Sequence, residues 1–457
     1  MLFVSLLVGS FGLWPMAHAV SPPPDGGYQG NNTAEGQDAL FSLGTGTVNT
    51  AIGFNALYRN RQGGANTAIG ANALFNNTAS QNTATGANAL LYNTTGRENT
   101  ANGNFALTSN TIGVFNTATG SSALSSNQTG DYNTANGAHA LLANSTGSNN
   151  TATGFEALKD SKTGQRNTAD GASALFVNDS GSENSATGYA ALHANFSGSN
   201  NTATGAEALH ANLAGSNNTA DGHGALHNNF SGGNNTAAGS GALRNSLSGA
   251  DNTAIGFQAL VNNVHGSSNI ALGRGAGSAI STASNVICIG VAGENLGNSC
   301  YIGHIFNQSS PSGVAVFVNS AGKLGAATSS ARFKEDIKPM GKDSEVLLAL
   351  KPVSFRYRKE IDPAGISQFG LVAEEVEKVN PDLIVRDEEG KPYSVRYDQV
   401  NAMLLNEFLK EHSTMQELRK EVAALTSRLE EQDSRMEKLS SRLEMSRSTP
   451  QMVANRR

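Results

Sequence analysis

The chain has 457 residues, with 31 Lys and Arg against 37 Asp and Glu and a formal net charge of −6. That modest balance, with no basic stripe, excludes the electrostatic footprint of a nucleic-acid binder. Glycine is abundant at 51 residues but lacks the every-third spacing of collagen, so another kind of repetition must account for the length.

Residues 1–19 read as a secretory signal peptide. An apolar run from Leu2 to Trp14 is followed by Ala17-His18-Ala19, a small-x-small cleavage pattern. The run is too short to span a bilayer. No Lys or Arg precedes it, which is atypical for such a segment. The expectation is export, to a secreted or cell-surface location. Residues 20–31 form a linker.

Residues 32–306 are a repeat region. Fifteen copies of Asn-Thr-Ala-x-Gly-x-x-Ala-Leu carry glycines from Gly36 to Gly273, each 17 residues from the next except Gly70 to Gly86, which is 16. So strict a period makes each copy one structural unit stacked on its neighbours. A unit has a short strand-like run such as Asn49-Thr50-Ala51-Ile52, then Gly53, then Ala56-Leu57, then a polar stretch of Asn, Gly, Ser and Thr. The predicted fold is mainly β: a parallel β-solenoid or β-roll with one narrow coil per unit. The glycine falls at a corner needing positive φ or close backbone approach. One strand spacing per coil gives fifteen coils a length of about 70 Å. One Leu and two Ala per coil make a thin interior against the entropy of ordering the backbone. Contact between chains is expected to supplement it, which predicts an obligate oligomer.

Two columns within the repeats invite a second function. His193, His210 and His227 follow the Leu of successive units and suggest a metal ladder. Tyr58, Thr108, Lys159 and Arg244 take the same place elsewhere, which reads as an exposed, unconstrained position and argues against a metal site. Thr83/Thr85, Thr117/Thr119, Thr151/Thr153 and Thr202/Thr204 resemble the Thr arrays of ice-binding solenoids, but Ile, Asn, Asp or Glu replaces the second Thr in most other coils. Ice binding stays a remote alternative, testable by thermal hysteresis. Near the end of the repeats, Cys288 and Cys300 are either one disulfide of an exported chain or two unpaired small apolar residues.

The repeat phrase resembles the heads of trimeric autotransporter adhesins, left-handed parallel β-rolls with a related Asn-x-x-Ala-x-Gly phrase. The resemblance covers roughly residues 32–290 and implies a homotrimer. No membrane-anchor β-barrel is read at the C-terminus, so a complete autotransporter is not expected.

After a connector at 307–328 the composition turns charged. Ser329-Ser330-Ala331-Arg332-Phe333-Lys334 is followed by Lys351-Pro352-Val353-Ser354-Phe355-Arg356-Tyr357 and by Gly370-Leu371-Val372-Ala373-Glu374-Glu375-Val376. These segments resemble the C-terminal intramolecular chaperone domain of phage endosialidases and tail fibres, a family of autocleaving serine peptidases. Residues 329–412 are assigned to this small α+β domain. The resemblance implies a Ser–Lys dyad five positions apart, Ser329 as nucleophile and Lys334 as base, acting once per chain with no separate substrate. Ser330 stands where the family has an acidic residue, which bears on cleavage and leaves open the side of Ser329 on which a bond would break. The chemistry needs a base beside the hydroxyl. An exposed lysine is protonated near neutral pH, so the site has to become buried, as it would if it closes when chains associate.

The chain turns helical after Leu405, and residues 413–445 read as a coiled coil. Met415, Val422, Leu429, Met436 and Leu443 occupy heptad position a, and Leu418, Leu425, Gln432 and Leu439 occupy d. A single helix folded onto its own domain is the other reading of that stripe. Residues 446–457 are a disordered tail.

The sequence thus predicts an exported, trimeric fibrous protein, structural or adhesive, with a C-terminal chaperone that aligns near-identical repeats before they zip. No cofactor, metal, nucleic acid or transmembrane anchor is expected. Surface glycan or matrix proteins are the candidate ligands. A phage-type tail-fibre or receptor-binding protein, and a trimerisation domain that does not cleave, are the alternatives.

Overall fold

The computed structural model describes residues 28–319, 322–387 and 389–447, so the signal-like segment and the tail from 448 lie outside it. The chain forms two compact units that divide between Ser309 and Ser310.

The first unit is a parallel β-solenoid. Seventeen strands, β1 (Thr33–Glu35) through β17 (Ser299–Ile302), form one sheet in which each pairs in parallel with the next. Three strand residues suffice because the coils repeat one alternation, in most of them Thr outward, Ala inward, third residue outward. The pairing is in register, Thr33 beside Thr50 and Ala34 beside Ala51. The 16-residue unit keeps that register, Thr67 beside Thr83, because the lost residue comes out of the polar far side, where Asn77 and Asn82 are five apart rather than six.

Each strand ends at its glycine. Gly137 has φ +147, and a Cβ there would lie 2.3 Å from the Gly154 carbonyl oxygen of the next coil. Glycine is therefore required for backbone approach as well as conformation. Beyond the glycine the chain turns through left-handed residues with side chains, such as Asn55 (φ 57) and Leu57 (φ 52). Side chains rarely adopt this conformation. Inter-coil bonds hold it in place: the Leu57 amide donates to the Ala73 carbonyl at 3.0 Å, and the Asn55 amide to the Gln37 carbonyl at 3.0 Å.

The interior holds more than the Leu and Ala columns alone. Leu57, Ala51 and Ala56 are wholly buried within one chain, and so are the equivalents in coil after coil. The rest of the interior is asparagine, with Ser161 and Ser246 in its place in two coils. One buried ladder runs unbroken from Asn32 to Asn269: Asn49 donates from its backbone and from Nδ2 to Asn32 Oδ1, at 2.8 and 3.0 Å, and from Nδ2 also to the Gly63 carbonyl at 2.9 Å. A second ladder, Asn77-Asn93-Asn110-Asn127-Asn144, links Nδ2 to Oδ1 at 2.7 to 2.8 Å. Each coil therefore closes its own core without apolar contact from another chain, because amide stacks fill the volume and satisfy each other.

The position after the Leu also differs from the expectation. In most coils it is half-buried, and where flat side chains recur they stack. Phe41, Tyr58 and Phe75 stack at 5.0 Å, and Phe176, His193, His210 and His227 stack at 4.9 to 5.0 Å. Flat side chains repeat there at about the strand spacing, which suits offset stacking.

The last four strands are β14 (Thr253–Ile255), β15 (Ile270–Leu272), β16 (Val286–Ile289) and β17. In the last pair Ile287 faces Cys300 and Cys288 faces Tyr301. Cys288 therefore points inward and Cys300 outward, and both are free. The disulfide reading is not realised, since the two thiols occupy opposite faces of the sheet.

The second unit has little core. Hairpins β18 (Val316–Val318)–β19 (Leu324–Ala326) and β20 (Val353–Phe355)–β21 (Gln368–Gly370) precede helix α1 (Ala373–Val379). Hairpin β22 (Ile384–Arg386)–β23 (Pro392–Val395) follows, and helix α2 (Tyr397–Arg447) closes the chain. Val376, Leu383, Ile384, Val395, Val400 and Met403 form the buried cluster.

Candidate active site and chaperone fold

Ser329 and Lys334 flank a single turn of 3-10 helix, Ala331–Phe333. The Lys334 amide donates to the Ala331 carbonyl at 3.1 Å, while Ser330 and Lys334 themselves are extended. The turn reverses the chain, so the long lysine side chain reaches back. Lys334 Nζ lies 3.2 Å from Ser329 Oγ. Both side chains are exposed in the single chain. Beside them the Arg332 guanidinium covers the Phe333 ring at 4.6 Å. The arrangement supplies a hydroxyl with an amine within hydrogen-bond reach, the minimum for general-base activation of a serine.

A buried polar node fixes the start of α2. Ser344, wholly buried, donates from Oγ to Glu407 and accepts from Asn406 Nδ2 at 2.6 Å. Asn406 Nδ2 also donates to the Gly341 carbonyl at 3.1 Å, and Lys410 Nζ lies 2.8 Å from Glu407 Oε1. The Lys410 hydrogen bond, and then that of Ser344, hold the Glu407 carboxyl below its ordinary range, while Glu407 raises Lys410. Farther along the fold, Tyr397 Oη accepts from the Leu371 amide at 3.0 Å. Sequence reasoning does not find this node. Asn406, Glu407 and Lys410 share a helix face, but Ser344 lies more than sixty residues upstream.

Beyond the node α2 buries no further residue. Its only buried residues are Val400 and Met403, and the helix begins at Tyr397, earlier than the Leu405 expected from the sequence. The heptad residues from Met415 to Leu443 are all exposed, which removes the reading of a helix folded back onto its domain. Phe369, Leu348 and Tyr393 are exposed at 86%, 78% and 75%, a large amount of apolar surface for so small a core.

In the solenoid, His193, His210 and His227 stack face to face, with Glu207 Oε2 3.7 Å from His227 Nε2. Burial pushes His193 and His210 below the ordinary imidazole value. No cluster of three or more His, Cys, Asp or Glu suited to a metal occurs among the described residues, and no described helix is long and apolar enough to cross a membrane. The Thr-x-Thr side chains face outward, as the alternation of the strands requires.

Residues 329–385 match the family described as chaperone of endosialidase. The match takes in Ser329, Lys334, both strands of the β20–β21 hairpin and α1. The second unit therefore carries an intramolecular chaperone domain of that family, preceded by a parallel β-solenoid. No curated protein and no solved structure matches the chain.

Proposed function

We propose that this chain is the subunit of an exported homotrimeric fibre whose C-terminal unit assembles it and then releases itself. The observation that carries the reading is the 3.2 Å contact of Lys334 Nζ with Ser329 Oγ inside the matched segment. Neutral Lys334 takes the Ser329 proton as Oγ attacks a neighbouring peptide carbonyl. The peptide nitrogen leaves with that proton, and water hydrolyses the resulting ester. Chain association that covered the pair would favour the neutral amine this chemistry needs. This order suits a chaperone, because release then follows assembly. The exposed heptad face of α2 and the exposed aromatics of the second unit favour packing against other copies. Near-identical repeats offer slipped pairings, and a C-terminal seed fixes alignment before the parallel sheet forms. The role assigned to the fibre is structural or adhesive, with surface glycan or matrix protein as ligand.

Mass spectrometry of the wild type against Ser329→Ala and Lys334→Ala tests the chemistry. Cleavage beside Ser329 in the wild type alone is the expected result, and an intact wild-type trimer overturns it. Ser330, in place of an acidic residue, favours that second reading, a trimerisation domain that does not cleave. Deleting residues 329–457 is expected to give aggregated or misaligned solenoids, and regular soluble oligomers from that truncation would count against the chaperone role. A phage-type tail-fibre role is the alternative assignment for the whole chain, separable by whether the protein is found exported or in virions.

A further inference from the structure

The outer face of the solenoid sheet changes character at its C-terminal end. Its first outward column is Thr in every coil from Thr33 to Thr253, except for Ser185. Then it becomes Ile270, Ile287 and Cys300, paired strand to strand. The second outward column begins Glu35, Ile52 and Ile69, is Thr, Asn or Asp from Thr85 to Asp221, and after Ala238 becomes Ile255, Leu272, Ile289 and Ile302. These six aliphatic side chains are exposed by 36 to 46%. Neighbouring strands bring them into contact range, so they form one continuous apolar strip of six side chains, where the rest of the face is mainly Thr, Asn and Asp and its other aliphatic patch is the two-residue pair Ile52 and Ile69. Exposed strips of this kind mark association surfaces.

Position and symmetry identify the occupant. The strip lies on the last four coils, the end from which the chain runs into the chaperone domain. In a parallel trimer whose axis runs along this sheet face, the side chains nearest the axis meet their own equivalents at the same height. Ile289 then meets Ile289, whereas Asp221 and Asp170 would each meet their own like charge, at a cost. A contact between copies is therefore favoured along the strip and opposed at the coils of Asp170 and Asp221.

We propose that copies of this chain meet along the outer face of β14–β17, a short aliphatic seam carrying the chaperone's alignment into the solenoid. The proposal rests on the trimer reading above. Cys300 lies in the seam and Cys288 is buried, so the thiols report on it separately. In the full chain carrying Ser329→Ala, a short bismaleimide is expected to link two chains on a denaturing gel. The link should vanish with Cys300→Ser and persist with Cys288→Ala. Leu272→Lys with Ile289→Lys should abolish it while sedimentation still gives a trimer. A trimer whose Cys300 never links, or links equally well in the double-lysine variant, overturns the seam alone. So does a Cys300 shielded from monofunctional maleimide without linking, which would assign the strip to the chain's own residues 310–457 or to another protein. A monomer in sedimentation overturns both the seam and the trimer reading.

Discussion

Asn178 donates from Nδ2 to Ser161 Oγ at 3.5 Å, and at that stretched bond the second asparagine ladder of the solenoid is interrupted. On the other side of the gap Asn144 Oδ1 is buried without a partner, and Ser246 opens a similar gap that strands Asn229 Oδ1. Replacing Ser161 or Ser246 by Asn restores an amide where both neighbours want one. Each substitution is expected to stabilise the solenoid by about 1 kcal/mol, read as a rise in thermal midpoint.

The unbroken ladder predicts the opposite sign. Asn201 donates to Asn184 Oδ1 and to the Gly215 carbonyl, and its own Oδ1 accepts from Asn218. Asn201→Ala takes the acceptor from the buried Asn218 backbone amide, while Asn184 Oδ1 keeps the Asn201 backbone donor and the Gly215 carbonyl keeps Asn212 Nδ2, and should cost about 1–3 kcal/mol. Chemical denaturation of the purified solenoid measures it, and a loss no larger than that of a surface substitution would refute the ladder's role.

Two glycines should respond differently. Gly137→Ala places a Cβ against the Gly154 carbonyl and should prevent that coil from closing, seen as loss of strand signal in circular dichroism. Gly224 has φ +61 and open space around a Cβ, and Asn55 and Glu207 hold the equivalent place in other coils. Gly224→Asn is expected to stay within about 0.5 kcal/mol of the parent.

The stacked histidines make part of the solenoid sensitive to pH. Burial lowers both His193 and His210, and the positive charges of His193 and His227 lower His210 further, against an opposing pull from Glu207. In the unfolded chain these imidazoles take protons near the ordinary value of 6.5, before the folded ones do. Stability is therefore greatest above that value and falls as pH drops through it. Hydrogen-exchange protection factors, corrected for the slower intrinsic exchange at low pH, should fall in the coils from His193 to His227 in mild acid. His193→Phe with His210→Phe, which extends the stack begun by Phe176, should flatten the dependence.

The node under α2 makes a separate prediction. Because hydrogen bonds lower Glu407, its contribution is present above the ordinary carboxyl value of 4.5 and lost as pH falls through the folded value. Ser344→Ala removes one of those bonds and should weaken the anchoring of α2 by about 1–3 kcal/mol. Protease cleavage near Asn406 would then speed up.

The solenoid is legible in the sequence because its period is strict and its Leu and Ala recur at fixed places. The asparagines are harder to place, since a polar residue in a polar stretch reads as loop until a copy stands directly above and below it. The column after the Leu looks free because its residues vary, whereas in two runs its flat side chains stack at the strand spacing. The Ser329–Lys334 spacing suggests a reach of one turn, and the 3-10 helix of Ala331–Phe333 provides it. Ser344 gives no sign, since only the tertiary fold brings it to Asn406 and Glu407. The opposed faces of Cys288 and Cys300 depend on a strand offset that residue spacing does not encode.

The inner asparagines also constrain how the chain can be made. Asn93, Asn127, Asn144, Asn178, Asn195 and Asn229 are each followed by x-Ser or x-Thr, the acceptor pattern for N-linked sugar, yet every one of these amides is enclosed. An oligosaccharide transferred to any of them on the nascent chain would occupy the space of the neighbouring coil and stop it from closing. Production in a host whose secretory route decorates such acceptors would yield sugar-bearing, unfolded material, and a route without that transferase is the compatible one.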